Sequence, residues 1–380
     1  MATLLIVAPV FALIAAGYAA VLFRFVSETA HKGISEFAFS IAIPALLFRT
    51  IVVSEFPDVS PFRMWGAYYG ALALTWIAAL ALSAALRERR EDREDGVVFA
   101  IGAVYGNIVM LGIPLVLSAL GNEAAGPMAL ILSVNTPLLW LCGILQMELV
   151  SRKRSGWALS VIRPVLADLS RNPLMLAIGF GVVWRFTHLG LTPVVDRTIE
   201  LLAQAGSPAA LIALGINLFR FEVKGETLNV VAMSALKLLA MPAAAFVLAK
   251  LLDLPPVAAG VVVLFAAMPT GANAYIFAVQ YQRLVNPVSG AVALGTLLAA
   301  VTLPVVVMVV AAGVGVQVPQ QVWGELGTAI AGPKALRPRR AVLATARPVV
   351  SSMVCRRWLL AAMPARPGLG RSHRSHRCSA

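Results

Sequence analysis

Two short stretches carry the polar chemistry of an otherwise apolar chain. The first runs Gly102-Ala103-Val104-Tyr105-Gly106-Asn107-Ile108-Val109-Met110-Leu111-Gly112-Ile113-Pro114, and the second Ala267-Met268-Pro269-Thr270-Gly271-Ala272-Asn273-Ala274-Tyr275. Each sets Gly, Pro and Asn in the middle of a hydrophobic segment. Proline removes a backbone donor and clashes with the turn before it, so both helices are predicted to kink or unwind there. Unwound backbone survives at membrane depth only when it is buried in protein or lines a wet cavity, and the half-helix N-termini it exposes carry partial positive charge. Asn107 and Asn273 then offer amide donors beside those ends, with Gly106, Gly112, Pro114, Pro269 and Gly271 shaping the breaks. Such an arrangement suits a small anion. Read otherwise, the same residues make two Pro-kinked packing helices whose small side chains let neighbours approach.

Lys237 is the only cation well inside an apolar run, Met233-Ser234-Ala235-Leu236-Lys237-Leu238-Leu239-Ala240-Met241-Pro242. Burying it is costly, so it is expected to face a partner, a substrate or an aqueous cavity and to supply positive charge near the breaks. Asn135 and Asn217 also lie inside apolar segments, where each serves equally well as an interhelical hydrogen bond or as a ligand contact. Arg49 and Glu148 fall near segment ends and read as interfacial. No metal or nucleophilic centre is legible: Cys142, Cys355 and Cys378 have no paired spacing, and two of the four His, His373 and His376, stand near the C-terminus. The reading therefore includes no catalytic residue, metal or cofactor.

The elements that hold these residues follow from composition. With 59% hydrophobic and 13% charged residues and a mean hydropathy of +0.84, the chain belongs in a lipid bilayer. A helix crossing the ~30 Å hydrocarbon core needs about 20 apolar residues. The apolar runs give ten such spans, 3–23, 34–53, 63–86, 97–120, 127–150, 172–190, 198–219, 228–252, 257–281 and 288–313. The first lacks the basic start of a signal peptide and reads as a span. Charge is unevenly divided: residues 1–317 hold 20 Lys and Arg against 17 Asp and Glu, while 318–380 hold 11 against one. The tail 318–380, rich in Pro and Arg, reads as disordered and not as a nucleic-acid contact.

The spans repeat. Pro9 to Gly17 matches Pro173 to Gly181 in pattern, and Pro44-Ala45-Leu46-Leu47 matches Pro208-Ala209-Ala210-Leu211, both at an offset of 164. Asn107 and Asn273 are 166 apart, as are Thr136 and Thr302. Five spans per copy reverse the second copy in the membrane, which predicts inverted repeats with a site between them at mid-membrane, the signature of secondary transporters. The domains are then a first repeat 1–150, a linker 151–171, a second repeat 172–317 and the tail. Connections after odd-numbered spans hold fourteen Lys and Arg, from Arg24 and Lys32 to Arg283, against Arg63, Arg185 and Arg197 after even-numbered ones. That excess predicts odd loops in the cytoplasm and both termini outside. The mixed-charge run Arg87–Asp95 is accordingly a solvated cytoplasmic loop.

Phe37-Ala38-Phe39-Ser40-Ile41-Ala42-Ile43-Pro44-Ala45-Leu46-Leu47-Phe48, Asn107 with Leu111-Gly112-Ile113-Pro114-Leu115, Leu236-Lys237-Leu238-Leu239 with Pro242, and Met268-Pro269-Thr270-Gly271-Ala272-Asn273 resemble, in this order, the motifs of the auxin efflux carrier family of membrane transporters. The resemblance covers roughly residues 1–313. It implies an all-α polytopic fold of ten transmembrane helices in two inverted five-helix repeats, with helices 4 and 9 broken and crossing at the substrate site. It also implies organic-anion substrates: malate, malonate and similar carboxylates in microbial members, auxin in plant ones. The linker Ser151–Ser170 is short, as in the compact microbial type, while the tail matches nothing expected of the family. The expected protein is an inner-membrane carrier working by alternating access, with a coupled proton or sodium ion and a homodimer left open. The alternative is a sodium-coupled symporter of the bile-acid symporter type, although the spans contain almost no Asp or Glu for a cation. An enzyme or a receptor lacks a nucleophile cluster or an output domain in this sequence.

The orientation is directly testable. A cysteine in Arg87–Asp95 or Ser151–Arg154 is expected to react with impermeant reagent only from the cytoplasmic side, and one in Asn122–Gly126 only from outside. Labelling of Arg87–Asp95 and Asn122–Gly126 from the same side would break the ten-span arrangement.

Overall fold

A computed structural model describes residues 2–26, 28–53, 60–86, 93–150, 171–219, 221 and 227–314, all within the first of the chain's two units, Met1–Val322. The tail 318–380 and the linker residues 151–170 lie outside the described residues. The order is α1 Ala2–Leu22, α2 Glu28–Phe37, α3 Ile43–Val53, α4 Pro61–Leu86, α5 Arg93–Val104, α6 Ile113–Leu120, α7 Ala125–Val150, α8 Pro173–Phe186, α9 Pro193–Leu218, α10 Thr227–Ala235, α11 Met241–Leu251, α12 Pro256–Ala266, α13 Ala272–Tyr281 and α14 Val285–Val314. Among the described residues there is no strand, only one isolated β-bridge.

Among the described residues six segments are long and apolar enough to cross a membrane: Lys32–Val53, Pro61–Leu86, Asn122–Val150, Pro193–Leu218, Thr227–Leu251 and Val285–Gly313. Ile6–Leu22, Ile108–Leu120, Pro173–Phe186 and Pro256–Ala266 are apolar but shorter. The fourth and ninth predicted spans fall short because each is cut in two, between α5 and α6 and between α12 and α13. The sixth stops at Phe186, ahead of His188 and Gly190 with left-handed φ of 53° and 65°. The loop predicted to reach Asp95 ends earlier: α5 begins at Arg93, and Glu94 and Asp95 in its first turn pair with Arg283 at 2.9 and 3.6 Å.

Three prolines reshape their helices in the same way. π turns occupy Ala38–Ala42, Ile108–Gly112 and Leu236–Ala240, and each ends two residues before a proline, Pro44, Pro114 or Pro242. A proline ring collides with the carbonyl four residues back and offers it no N–H. One widened turn moves that carbonyl aside, which is the ordinary use of a π bulge. Pro9, Pro137, Pro208 and Pro304 instead lie within continuous α-helix.

The helices sort into two groups by what they touch. α1, α2–α3, α8 and α9 pack chiefly on one another, while α4–α7 and α10–α14 form a second group. In the first group Arg49 makes a forked ion pair with Asp196, at 2.8 and 3.1 Å, tying α3 to α9. This pair is partly exposed and contributes little to stability by itself. The tighter join is between α1 and α9, where Gly17 lies against the Ile212 carbonyl and Gly215 against the Ile14 carbonyl. Without side chains at the two glycines the backbones come into direct contact, the close approach that small residues permit between membrane helices.

Gly215→Val fills space already held by the Ile14 carbonyl, and overpacking of this kind costs about 1–3 kcal/mol. A clearly lower thermal midpoint in detergent is expected, whereas Gly179→Val, at a position with open space, changes it little. Equal midpoints for the two variants would contradict the packing described.

Candidate functional site: the paired helix breaks

The two interrupted helices satisfy each other. Asn107 N–H donates to the Pro269 carbonyl at 2.7 Å and Gly271 N–H donates to the Tyr105 carbonyl at 2.8 Å, forming an antiparallel bridge between Gly106 and Thr270. Four backbone groups that unwinding would orphan are thereby paired. The helix ends are served too. Thr270 Oγ1 donates to the Gly102 carbonyl in the last turn of α5 at 2.8 Å, and Lys237 Nζ donates to the Ala266 carbonyl at the end of α12 at 2.7 Å. Gly271 is required here, because a Cβ would lie 3.1 Å from Asn107 Cα and N.

Polar side chains converge on one side of this bridge. Asn107 Oδ1 accepts from Met110 N–H at 3.2 Å and caps the segment that starts at Ile108, but its Nδ2 is buried with no partner among the described residues. Asn273 Nδ2 donates to Tyr105 Oη at 3.0 Å. Asn135, 1% exposed, has neither amide atom paired among the described residues. These groups open onto a cavity of about 340 Å³ lined by Phe39, Ser40, Tyr105–Met110, Asn135, Thr136, Asn172–Leu174 and Gly271–Asn273. The wall draws on both helix groups: the π turn after α2 and the start of α8 from one, the breaks and α7 from the other.

Among the described residues that line the cavity there is no Asp, Glu, Lys, Arg or His. The cavity's positive character comes from helix ends. The segments beginning at Ile108, Pro173 and Ala272 all present their N-termini to it, the second capped by Asn172 Oδ1 on Leu174 N–H at 2.9 Å. First-turn N–H groups have no intrahelical acceptor and carry the positive end of the helix dipole, which together make an anion site. Buried amides left unpaired in the same wall are donors waiting for a partner.

Five of the residues singled out from the sequence line this cavity: Asn107, Asn273, Asn135, Gly106 and Gly271. Four do not. Pro269 supplies a carbonyl to the bridge, Pro114 follows the π turn Ile108–Gly112, Gly112 packs on Met268 and Phe265, and Lys237 is sealed beside Gly106. Sequence reasoning passed over Ser40, Tyr105, Thr136 and Asn172 as wall residues. Asn172-Pro173 is a cap followed by proline at the first helical position, a signal for a helix N-terminus.

A family model described as membrane transport protein matches residues 3–307. The chain is 26% identical over 299 residues to a protein of Rhizobium meliloti named "Putative malonate transporter", covering 78% of this chain and 92% of that one. It is 32% identical over 161 residues to auxin efflux carrier component 5 of Arabidopsis thaliana, covering 40% of this chain and 45% of that one. It is 23% identical over 308 residues to the lysosomal cholesterol signaling protein of Mus musculus, covering 76% of this chain but 35% of that one. The chain thus spans less than half the length of the last two.

A buried amide without partners costs about 1–3 kcal/mol. Asn135→Leu, similar in volume and free of polar atoms, is expected to hold or raise the thermal midpoint measured without ligand. A fall of several degrees would mean that the amide has a structural partner and is not kept for a ligand.

Proposed function

The chain belongs to the auxin efflux carrier family of membrane transport proteins, and from this we infer that it is a secondary carrier for a small organic anion, bound where the two broken helices meet. The observation that carries the inference is the paired break itself, with unpartnered Asn107 and Asn135 amides beside helix N-termini in one cavity. A carboxylate can accept hydrogen bonds from the Ala272 and Asn273 N–H groups and from the two Asn amides, all donors fixed before it arrives. The space suits an acid of a few carbons with some water. Malonate in the name of the Rhizobium relative and auxin in that of the Arabidopsis one are both carboxylates, which favours a mono- or dicarboxylate here.

We further propose ten transmembrane helices in two inverted five-helix repeats, 1–150 and 172–317, with both termini outside the cytoplasm. Two ion pairs support this. Arg49–Asp196 joins the end of the second span to the start of the seventh, and Arg283–Glu94 joins the end of the ninth to the start of the fourth. In the ten-span arrangement each pair links ends on the same side. Alternating access then arises from movement of the group carrying the breaks relative to α1, α2–α3, α8 and α9. Because the cavity wall is shared between the groups, such movement opens it to one side or the other.

The test is counterflow of labelled malonate, malate and related carboxylates in proteoliposomes. Asn107→Ala is expected to lower apparent affinity roughly ten- to hundredfold, since a hydrogen bond to a charged group is worth about 1.5–3 kcal/mol, and Asn273→Ala to lower it less, because it removes the bond that holds Tyr105 Oη in the wall and keeps its own backbone N–H. Asn217→Ala, outside the cavity wall, is expected to cost less. Normal transport in both cavity variants together with a defect in Asn217→Ala would move the site elsewhere.

A further inference from the structure

Lys237 is the one Lys, Arg, Asp, Glu or His, among the described residues, whose side chain is buried, and its exposure is 0%. It sits on the π turn Leu236–Ala240, at the depth of the helix breaks. Its Nζ donates to the Ala266 carbonyl at 2.7 Å and meets Met241 Sδ at 3.0 Å. Neither partner carries a formal charge. Ala266 ends α12, so its carbonyl lies at the negative pole of a short helix, which offers at most about half an elementary charge.

The other ionisable side chains on the surrounding elements do not complete the pair. α4 carries Arg63, Tyr68 and Tyr69; α5 carries Arg93, Glu94 and Asp95; the break carries Tyr105; α11 carries Lys250; α10, α12 and α14 carry none. Glu94 and Asp95 are engaged by Arg283 at the far end of α5. Among the described residues no ion pair reaches Lys237.

What stands next to Nζ is a missing side chain. A Cβ on Gly106 would lie 3.0 Å from Lys237 Cε and 3.1 Å from Nζ, and Gly106 is also part of the cavity wall. A single strand of backbone separates the lysine from the cavity. An anion there would be its nearest full counter-charge, in a medium of low dielectric where such a pair interacts strongly. Occupancy of the cavity and charge on the lysine are therefore linked, and the linkage is reciprocal: the anion favours the ammonium as much as the ammonium favours the anion.

We propose that Lys237 is the coupling residue of the carrier, taking up one proton from cavity water when the substrate anion binds and giving it back when the anion leaves. The amine nitrogen gains the proton and becomes an ammonium; no other bond changes. A monoanion then crosses with no net charge, and a dianion with one negative charge. This rests on the reading of the cavity as the anion site, and it assigns Lys237 to coupling and not to direct contact with substrate.

The experiment uses labelled malonate and purified full-length protein. Wild-type protein in weakly buffered detergent solution is expected to draw protons from the medium when malonate adjusted to the same pH is added. In proteoliposomes with the membrane potential clamped, an inward gradient of one pH unit is expected to drive accumulation of up to about tenfold, the free-energy equivalent of 1.4 kcal/mol. Lys237→Met, of similar length and uncharged, is expected to lose gradient-driven accumulation while still performing counterflow at equal pH, with a weaker apparent affinity for malonate. Accumulation retained in Lys237→Met, or no proton uptake by the wild type on malonate binding, overturns the proposal. Loss of both activities in Lys237→Met with no proton uptake by the wild type makes the lysine purely structural, which also overturns it. Wild-type protein that performs no carboxylate counterflow would instead defeat the reading of the cavity as an anion-carrier site.

Discussion

Everything at the candidate site depends on two hydrogen bonds between helix breaks, Asn107 N–H to Pro269 and Gly271 N–H to Tyr105. In the apolar centre of a membrane an unpaired backbone group costs several kcal/mol, so neither helix could be interrupted alone. Each break is the solution to the other. Pairing them lets the chain hold polar backbone, two glycines and two asparagines at membrane depth, and the half-helix ends that result supply positive potential where the described residues of the cavity wall include no charged side chain. The small residues serve the same end: a Cβ on Gly271 would crowd the Asn107 backbone in the bridge, and one on Gly106 would crowd the end of the Lys237 side chain.

The π turns and the glycine contacts act at a second level. Pro44, Pro114 and Pro242 each sit just past a widened turn, and two of these turns bring site residues to bear: the one ending at Ala42 presents Phe39 and Ser40, and the one starting at Ile108 follows Asn107. The third carries Lys237. Close contact of α1 with α9 at Gly17 and Gly215 holds the first helix group together, which gives the second group a firm surface to move against in the proposed cycle. Ion pairs at the ends of the helices are partly exposed and add direction more than strength.

Much of this was legible in the residues before any coordinates. Proline and glycine flanking Asn107 and Asn273 in apolar segments marked both interruptions, because the steric and hydrogen-bonding consequences of proline are local. That the two asparagines stand 166 residues apart in similar sequence contexts drew attention to both, and the family resemblance implied that their helices cross. Less legible were partners from the other helix group. Ser40 and Asn172 come from segments with no broken-helix signal, and only tertiary packing brings them to the same wall. The π turns were hidden for another reason: Pro44, Pro114 and Pro242 provoke them while Pro137 and Pro208 do not, so proline alone is no signal. Lys237 was recognised as an intramembrane cation, but its position behind Gly106, outside the wall, depends on the path of α10 and α11 across α4 and α5. Sequence spacing does not carry that path.

The most direct measurement of the central claim is substrate protection of the wall itself. In a chain with its native cysteines replaced by serine, single cysteines at Thr136, Ala272 and Leu174 would be reacted with a small charged thiol reagent, with and without saturating malonate, beside a control at Leu189, exposed between α8 and α9 and outside the wall. The account predicts that malonate slows labelling at the three wall positions severalfold and leaves the control unchanged. Wall cysteines that react at the same rate with and without every carboxylate the protein transports would contradict it.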